Sequence, residues 1–569
     1  MVGPRLFSLR AVAIGTALIL AGRLVQVQLL GGATYRNYGR SQMMQSAVLP
    51  TIRGPILDRN GAVLAMSVPR TDIYADPRQV TSPSAEAAKL APLLGESQAS
   101  ITTLLSAKTT FVYLKKQVGN SLTKRVEALG LPGLGFLPDT TRYAPNGNLA
   151  AGVLGFLGAS GNGLAGLEYQ YNSLLAGRPG HSTVQVDPFG GPISGGVHRV
   201  QPPVPGSGLE LTLSTAIQYE AQQALAKEVA ASHARAGMAV VEDVHTGQVL
   251  AMATVVSNHG KVGVSGANDP LTYTYEPGSV MKIATFSGAL VHHLITPTTV
   301  LQVPPSLNLG GYVFHDAEPH GTENLTATQI IARSSNIGTI EIAKKLGATG
   351  VYNWITRFGF GKPTGLGFPG ASSGIVRPPA TWSASALGST PIGQDTGVTA
   401  MQVLDAYNTV ANGGLFVRPQ IVKGVVGPNG RLRRRPPPAT HRVIPKAVAT
   451  TLTSMLEHVV GPGGTAPAAA IPGYSVAGKT GTAQKPSTTS RGYVPGSYMA
   501  TFVGFVPAQS PAISAVVVLD HPTPIYGGSV AAPVFSQVCS YALRTLRIPP
   551  PAAGSQSGSQ GSGGVANGG

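Results

Sequence analysis

The chain has 569 residues, 43% of them hydrophobic and only 11% charged, with 41 Lys and Arg against 24 Asp and Glu for a formal net charge of +17. That length accommodates two or three domains with substantial cores, and the basic balance suits nucleic acid, an anionic membrane face or acidic wall polymers. A single cysteine, Cys539, excludes an internal disulfide, and no nucleic-acid motif accompanies the charge.

Taken in chain order, Ala11 to Leu30 is mostly apolar and long enough to cross a bilayer as a helix, with Arg5 and Arg10 before it. The predicted layout is a cytoplasmic tail at 1–10, a transmembrane anchor at 11–30, and everything after about Gly31 outside. Arg23 interrupts the span and would snorkel to the interface or face a partner helix. The rival reading is a cleaved signal peptide. Against it, Ala21-Gly22-Arg23 is a poor small-x-small site, and Leu20-Ala21-Gly22 lacks a lipid-bearing Cys.

From about Met43 to Val200, short β-like runs alternate with Gly- and Pro-containing turns, predicting an elongated α+β pedestal at 43–200. A Gly- and Pro-rich boundary runs from Gly190-Gly191-Pro192 to Gly206-Ser207-Gly208. A second domain is expected at 209–548. In it, Ala216 to Val229 reads as a helix with its Gln, Lys and Glu facing out, and Met238–Val241 with Gln248–Met252 as a hairpin around His245-Thr246-Gly247. Ser514 to Leu519 reads as a buried strand, and Cys539 as a small buried side chain. Strands at both ends enclosing a helical middle predict an α+β architecture, with helices packed on an antiparallel sheet. The Pro-, Gly- and Ser-rich tail at 549–569 is expected to be disordered.

Three short motifs carry chemistry: Ser279-Val280-Met281-Lys282, Ser334-Ser335-Asn336 and Lys479-Thr480-Gly481. A Ser hydroxyl needs an adjacent base, and a Lys three residues later on a helix shares its face. Each motif alone is common: Ser121-Leu122-Thr123-Lys124 repeats the first, and Ser160-Gly161-Asn162 and Ser306-Leu307-Asn308 repeat the second. Context separates them. Pro277-Gly278 ends a loop and puts Ser279 near a helix N-terminus, whereas Ser121 sits among Lys115, Lys116, Lys124 and Arg125 on a solvated face. Other polar stretches read as structure: His315 to His320 as a loop ahead of Ser334 rather than a metal site, His292-His293 as a helix end, Arg431 to Pro438 as a solvated loop. No metal and no cofactor is predicted.

In this order and spacing, the motifs resemble those of penicillin-binding proteins and class A β-lactamases. Longer segments resemble the class B penicillin-binding proteins, membrane-anchored peptidoglycan D,D-transpeptidases, and their cell-division type most. These are Tyr275-Glu276-Pro277-Gly278-Ser279, Gly478 to Gln484, Arg53 to Gly61, and Arg142-Tyr143-Ala144-Pro145 with Gly163 to Glu168. The chain departs from the family pattern at Val280, Ser214 and Ser335.

The resemblance implies roles. Ser279 would be acylated at the carbonyl between two terminal D-alanines, and Lys282 would be the general base, its pKa lowered by burial beside Lys479. Ser334 would relay the proton, Asn336 would hold the substrate amide and Lys282, and Lys479 with Thr482 would bind the terminal carboxylate. Thr480 would extend the polar wall and Gly481 would leave room for substrate along the strand. The oxyanion hole would be the Ser279 and Thr482 N–H groups. Arg53, Asp58, Arg142 and Glu168 read as structural or partner-facing, tying the pedestal together rather than doing chemistry. Implied partners are D-Ala-D-Ala stem peptides, β-lactams as covalent inhibitors, and a polytopic glycosyltransferase of the SEDS (shape, elongation, division and sporulation) family with other division proteins, but no nucleic acid. The alternatives are an elongation-type transpeptidase, a D,D-carboxypeptidase or β-lactamase-like hydrolase, and a non-enzymatic β-lactam sensor.

Overall fold

The structure, a computed structural model, describes residues 3–30, 37, 39, 43–187, 193–487 and 492–551. Gly31, Gly190-Gly191-Pro192 and the tail from 552 onward lie outside the described residues. The chain forms two compact units, one of Met1–Arg53, Ser67–Thr141 and Ala176–Gly206, the other of Gly54–Met66, Arg142–Leu175 and Ser207–Gly569.

In the first unit the N-terminal helix starts at Gly3, earlier than the apolar pattern indicates, and runs to Val25 before a short π-helical segment, Gln26–Leu30. Its Phe7–Gln28 stretch has a mean hydropathy of 1.6 and buries nothing inside the chain, as suits a single membrane anchor. Arg23 donates to Gln26 Oε1 at 2.6 Å, which partly satisfies its charge within the span. Beyond it, Met44–Leu49, Gly180–Gln185 and His198–Gln201 form a three-stranded antiparallel sheet. A separate small core gathers Ile73, Leu90, Leu94, Ile101, Leu105, Leu114 and Val126. Helices Pro83–Leu94, Gln98–Leu105 and Asn120–Glu127 supply most of it, the helical part of the expected α+β pattern. Their signals are local. Pro83 sits at the first turn and Gly95, with φ 67, ends that helix, while Ser97 Oγ caps the next by accepting from Ser100 N.

Within the expected 43–200 pedestal, Gly54–Met66 and Arg142–Leu175 group with the second compact unit. Hydrogen bonds explain why. Arg142 reaches Glu168 at 2.8 Å and the Gly54 carbonyl at 2.9 Å, and Asp58 accepts from Thr215 N and Oγ1. Asp58, Arg142 and Glu168 thus tie these segments into the second unit.

In that second unit α1 (Thr215–Ala231) precedes β1 (Ala236–Asp243), β2 (Val249–Asn258) and β3 (Lys261–Val264). Helices α2 (Lys282–Val291), α3 (Asn336–Arg357, kinked at Gly347), α4 (Ala400–Ala411) and α5 (Lys446–Val460) follow. β4 (Ala477–Pro486), β5 (Tyr493–Val506), β6 (Ile513–Asp520) and α6 (Gly527–Thr545) complete it. The six strands make one antiparallel sheet in the order β3-β2-β1-β6-β5-β4, which leaves β4 at an edge. β1 is apolar along nearly its whole length because helices cover both its faces. Gly237 meets Leu225 and Val229 of α1, while Glu242, an odd number of residues away, feels Asp405 of α4 on the other face.

The predicted hairpin, the Ser514–Leu519 strand and the buried Cys539 are all present. Two details differ. Gln218 and Gln222 of α1 face inward, and Gln218 ties α1 to β2 through Met252, accepting from its N–H at 2.7 Å and donating to its carbonyl at 2.9 Å. Within Arg431 to Pro438, Leu432–Arg434 is a short strand paired with Val422–Val426, although its arginines stay exposed.

Candidate active site

The Ser279 turn is built from backbone packed against backbone. Gly278 takes φ 60 and donates to the Gly393 carbonyl at 3.1 Å, and a Cβ on Gly393 would lie 2.1 Å from Gly278 O. Ser279 then falls in a single 3-10 turn, Gly278–Met281, that feeds α2. The edge strand β4 crosses this turn. A Cβ on Gly481 would stand 2.7 Å from the Pro277 carbonyl, so this glycine makes room for the Ser279 turn rather than for a ligand. Thr482 comes to the same place: its carbonyl carbon would be 3.3 Å from a Gly278 Cβ, and its hydroxyl accepts from Gly527 N at 3.4 Å.

α2 is buried from Lys282 to Leu290 and packs on α3, where Gly288 admits the Trp354 ring. Lys282 is wholly buried and its Nζ donates within the Ser334 motif: to Ser334 O at 2.6 Å, Ser334 Oγ at 3.3 Å, Ser335 O at 3.2 Å and Asn336 Oδ1 at 2.9 Å. Among the described residues its hydrogen bonds go to this motif and not to Ser279. Ser334 holds φ 62, a left-handed conformation that costs a serine about 1 kcal/mol and turns its carbonyl toward the amine.

Burial holds the Lys282 amine down to about 7, opposed by the Asp316 carboxylate, which favours the ammonium. Lys479, also wholly buried, is pushed well below the usual lysine range, first by burial and then by repulsion from Lys282. The expected influence of Lys479 on Lys282 thus registers on Lys479 instead. Lys479 Nζ donates to Thr480 O at 3.2 Å and to its Oγ1 at 3.3 Å, and Thr480 Oγ1 pairs with Thr465 Oγ1 at 2.8 Å.

The fold therefore brings Ser279, Lys282, Ser334, Asn336, Lys479, Thr480, Gly481 and Thr482 to one place and leaves the decoys elsewhere. Ser121 and Lys124 are both exposed on Asn120–Glu127 of the first unit, and Ser160 with Asn162 lies in an exposed turn. Three contributors escape sequence reasoning. Thr465 has no motif around it. Glu276, pushed up to about 7 by burial, accepts from Asp395 N at 3.0 Å beside the Tyr493 hydroxyl. Asp316, within the predicted polar loop, accepts from Ser335 Oγ at 2.7 Å and from the Asn336 and Ile337 N–H groups.

Residues 237–540 match the penicillin binding protein transpeptidase domain, and residues 48–211 the penicillin-binding protein dimerisation domain. Penicillin-binding protein PbpB of Mycolicibacterium smegmatis is 33% identical over 93% of this chain and 88% of its own length. Peptidoglycan D,D-transpeptidase FtsI of Escherichia coli is 31% identical over 94% and 90%. Among solved structures, penicillin binding protein 3 of Mycobacterium tuberculosis in complex with ampicillin superposes with a TM-score of 0.69 at 31% identity, covering 89% of this chain and 98% of that one.

Proposed function

We propose, for a chain that belongs to the class B penicillin-binding proteins, that Ser279 is the residue acylated in its reaction. The protein is a serine-type peptidoglycan D,D-transpeptidase of septal wall synthesis. The observation that carries the assignment is the wholly buried Lys282 amine held at Ser334 and Asn336, because a lysine can accept a proton at neutral pH only when its environment disfavours the ammonium.

Ser279 Oγ adds to the carbonyl of the penultimate D-alanine while its proton passes to neutral Lys282. The tetrahedral oxyanion is met by the N–H groups of Ser279 and Thr482. The C–N bond then breaks, the proton returns through Ser334 Oγ to the departing amine, and free D-alanine leaves an ester on Ser279. An acceptor amine attacks that ester and releases the serine as the cross-link forms. Lys479 and Thr482 supply a cation and a hydroxyl for the donor's terminal carboxylate, with Thr480 and Gly481 lining the same strand. β-Lactams acylate the same oxygen. Mass spectrometry of a penicillin adduct after tryptic digestion tests this, with the label expected on the Ser279 peptide; a label elsewhere, or full labelling of Ser279→Ala, refutes it.

The transpeptidase domain is taken as 209–548 and its orientation as outside the membrane, since Arg5 and Arg10 precede the apolar span. A polytopic SEDS-family glycosyltransferase is the proposed source of strands, met through the anchor and the pedestal. Purified protein that polymerised lipid-linked disaccharide unaided would refute that partnership.

A further inference from the structure

Two of the three residues that receive Lys282 hang from a single carboxylate. Asp316 Oδ1 accepts from the N–H groups of Asn336 and Ile337, and Oδ2 accepts from Ser335 Oγ. Ser335 Oγ in turn accepts from Gly338 N at 2.9 Å, closing a cap on the first turn of α3, where a negative charge is favoured. Behind Asp316 lies His320, whose Nε2 is 3.1 Å from Asp316 Oδ2 and whose Nδ1 reaches the Gly321 carbonyl. Both neighbours can only accept. A neutral imidazole donates from one nitrogen and leaves one acceptor bare, whereas the imidazolium serves both. The Gly321 carbonyl and the Asp316 carboxylate accordingly lift the His320 pKa above its ordinary value.

We propose that Asp316 and His320 are positioning residues for acylation: Asp316 fixes the register of Ser334, Ser335 and Asn336 against Lys282, and protonated His320 fixes Asp316. The inference rests on the reading of Ser279 and Lys282 as nucleophile and base. The pair acts on Lys282 with opposite signs. The Asp316 charge favours the ammonium, and the His320 cation partly cancels that charge.

Few other charges compete. Lys479 of β4 is buried beside Lys282, and Glu323 bears on His320 while paired with Arg333 at 2.9 Å. Of the helices packed on α2, α3 carries Glu341, Lys344, Lys345 and Arg357, and α5 carries Lys446, Glu457 and His458, all of them exposed or half-exposed. Asp395, which follows the Thr390–Ile392 turn, is engaged with Ser389 and Glu276.

The test is the rate at which the full-length protein in detergent is acylated by a fluorescent penicillin between about pH 5.5 and about pH 9, with Ser279→Ala as blank. In the wild type the rate should rise with pH as Lys282 loses its proton. Asp316→Asn should move that rise to lower pH and reduce the plateau about tenfold, since it removes charge-assisted hydrogen bonds. His320→Gln should move the rise to higher pH. Opposite displacements are the signature of a charge-setting pair. If both variants slow the reaction by one factor at every pH, or change nothing, the inference fails while the Ser279 assignment stands. If the wild type labels no better than the blank, the assignment itself fails. Thermal melts report whether Asp316→Asn folds, and should it not, the half-buried His320 carries the test alone.

Discussion

Ser121-x-x-Lys124 and Ser279-x-x-Lys282 share a pattern and a helical setting, and the chain makes opposite things of them. Ser121 and Lys124 point to solvent, where a hydroxyl with no buried base beside it stays a weak nucleophile. Lys282 is sealed at 0% exposure, and the carbonyls of Ser334 and Ser335 with the side chains of Ser334 and Asn336 take up its N–H groups. The motif supplies the atoms. Burial supplies their reactivity.

The largest expected effect separates the two serines outright. Ser279→Ala should abolish covalent labelling by penicillin while Ser121→Ala leaves it intact, read by in-gel fluorescence of the two variants. Next is the lifetime of that label. Glu341 is engaged by Lys344 at 3.0 Å on the surface of α3, Glu457 accepts from Gln509 at 2.6 Å, and Glu276, nearest in sequence to Ser279, accepts from Asp395 N at 3.0 Å, so each of these carboxyl groups is already engaged. Deacylation should therefore be far slower than acylation, with a lifetime of many minutes or longer. Stopped-flow acylation followed by adduct decay measures both, and steady penicillin turnover would contradict it. The two lysines follow: Lys282→Ala should slow acylation by about 10²–10⁴-fold, whereas Lys124→Ala should leave the rate unchanged.

The contrast extends from the motifs to the units that carry them. In the first unit Arg78 holds the Asp76 carboxyl down to about 2, so its contribution is present above the ordinary 3.8 and lost as pH falls through about 2. In the second, both carboxylate oxygens of Glu242 are buried without a hydrogen-bond partner among the described residues, as is Oδ1 of Asp405. Burial drives both groups well above their ordinary 4.5 and 3.8, and the Asp405 charge, then that of Asp243, raises Glu242 further. There the sign reverses. As pH rises past those ordinary values the unfolded chain sheds protons that the folded unit retains, and stability falls. Thermal melts at about pH 4 and about pH 8 should show Glu242→Gln and Asp405→Asn gaining on the wild type at the higher pH alone. A uniform gain at both would contradict this. The smallest effect is steric: Gly481→Ala should cost about 1–3 kcal/mol of stability by pressing a methyl on the Pro277 carbonyl, read as a lowered Tm.

What could be read from the amino-acid order follows from how local each signal is. The buried strands β1, β2 and β6 announce themselves as apolar runs around a turn, and Ser279 by the Pro-Gly that precedes it. Asp316 could not be found that way, because its importance comes from a loop folding back on a helix that starts twenty residues later. Gln218 misleads for a related reason: a polar side chain inside α1 makes sense only once Met252 is known to lie opposite. The split pedestal is less legible still, since nothing in Arg142 itself says that its partners are Glu168 and Gly54.

Three glycines, 278, 393 and 481, leave the backbone around Ser279 with no side-chain volume to trade. That closes off an evolutionary route. The smallest increment a mutation can add there, one methyl group at 393 or 481, would collide with a main-chain carbonyl. Adaptive substitutions should accordingly collect among residues that can still change size, such as Tyr312, Ile375 and Tyr526, which are all more than half exposed, while the turn itself stays invariant in any laboratory-evolved lineage.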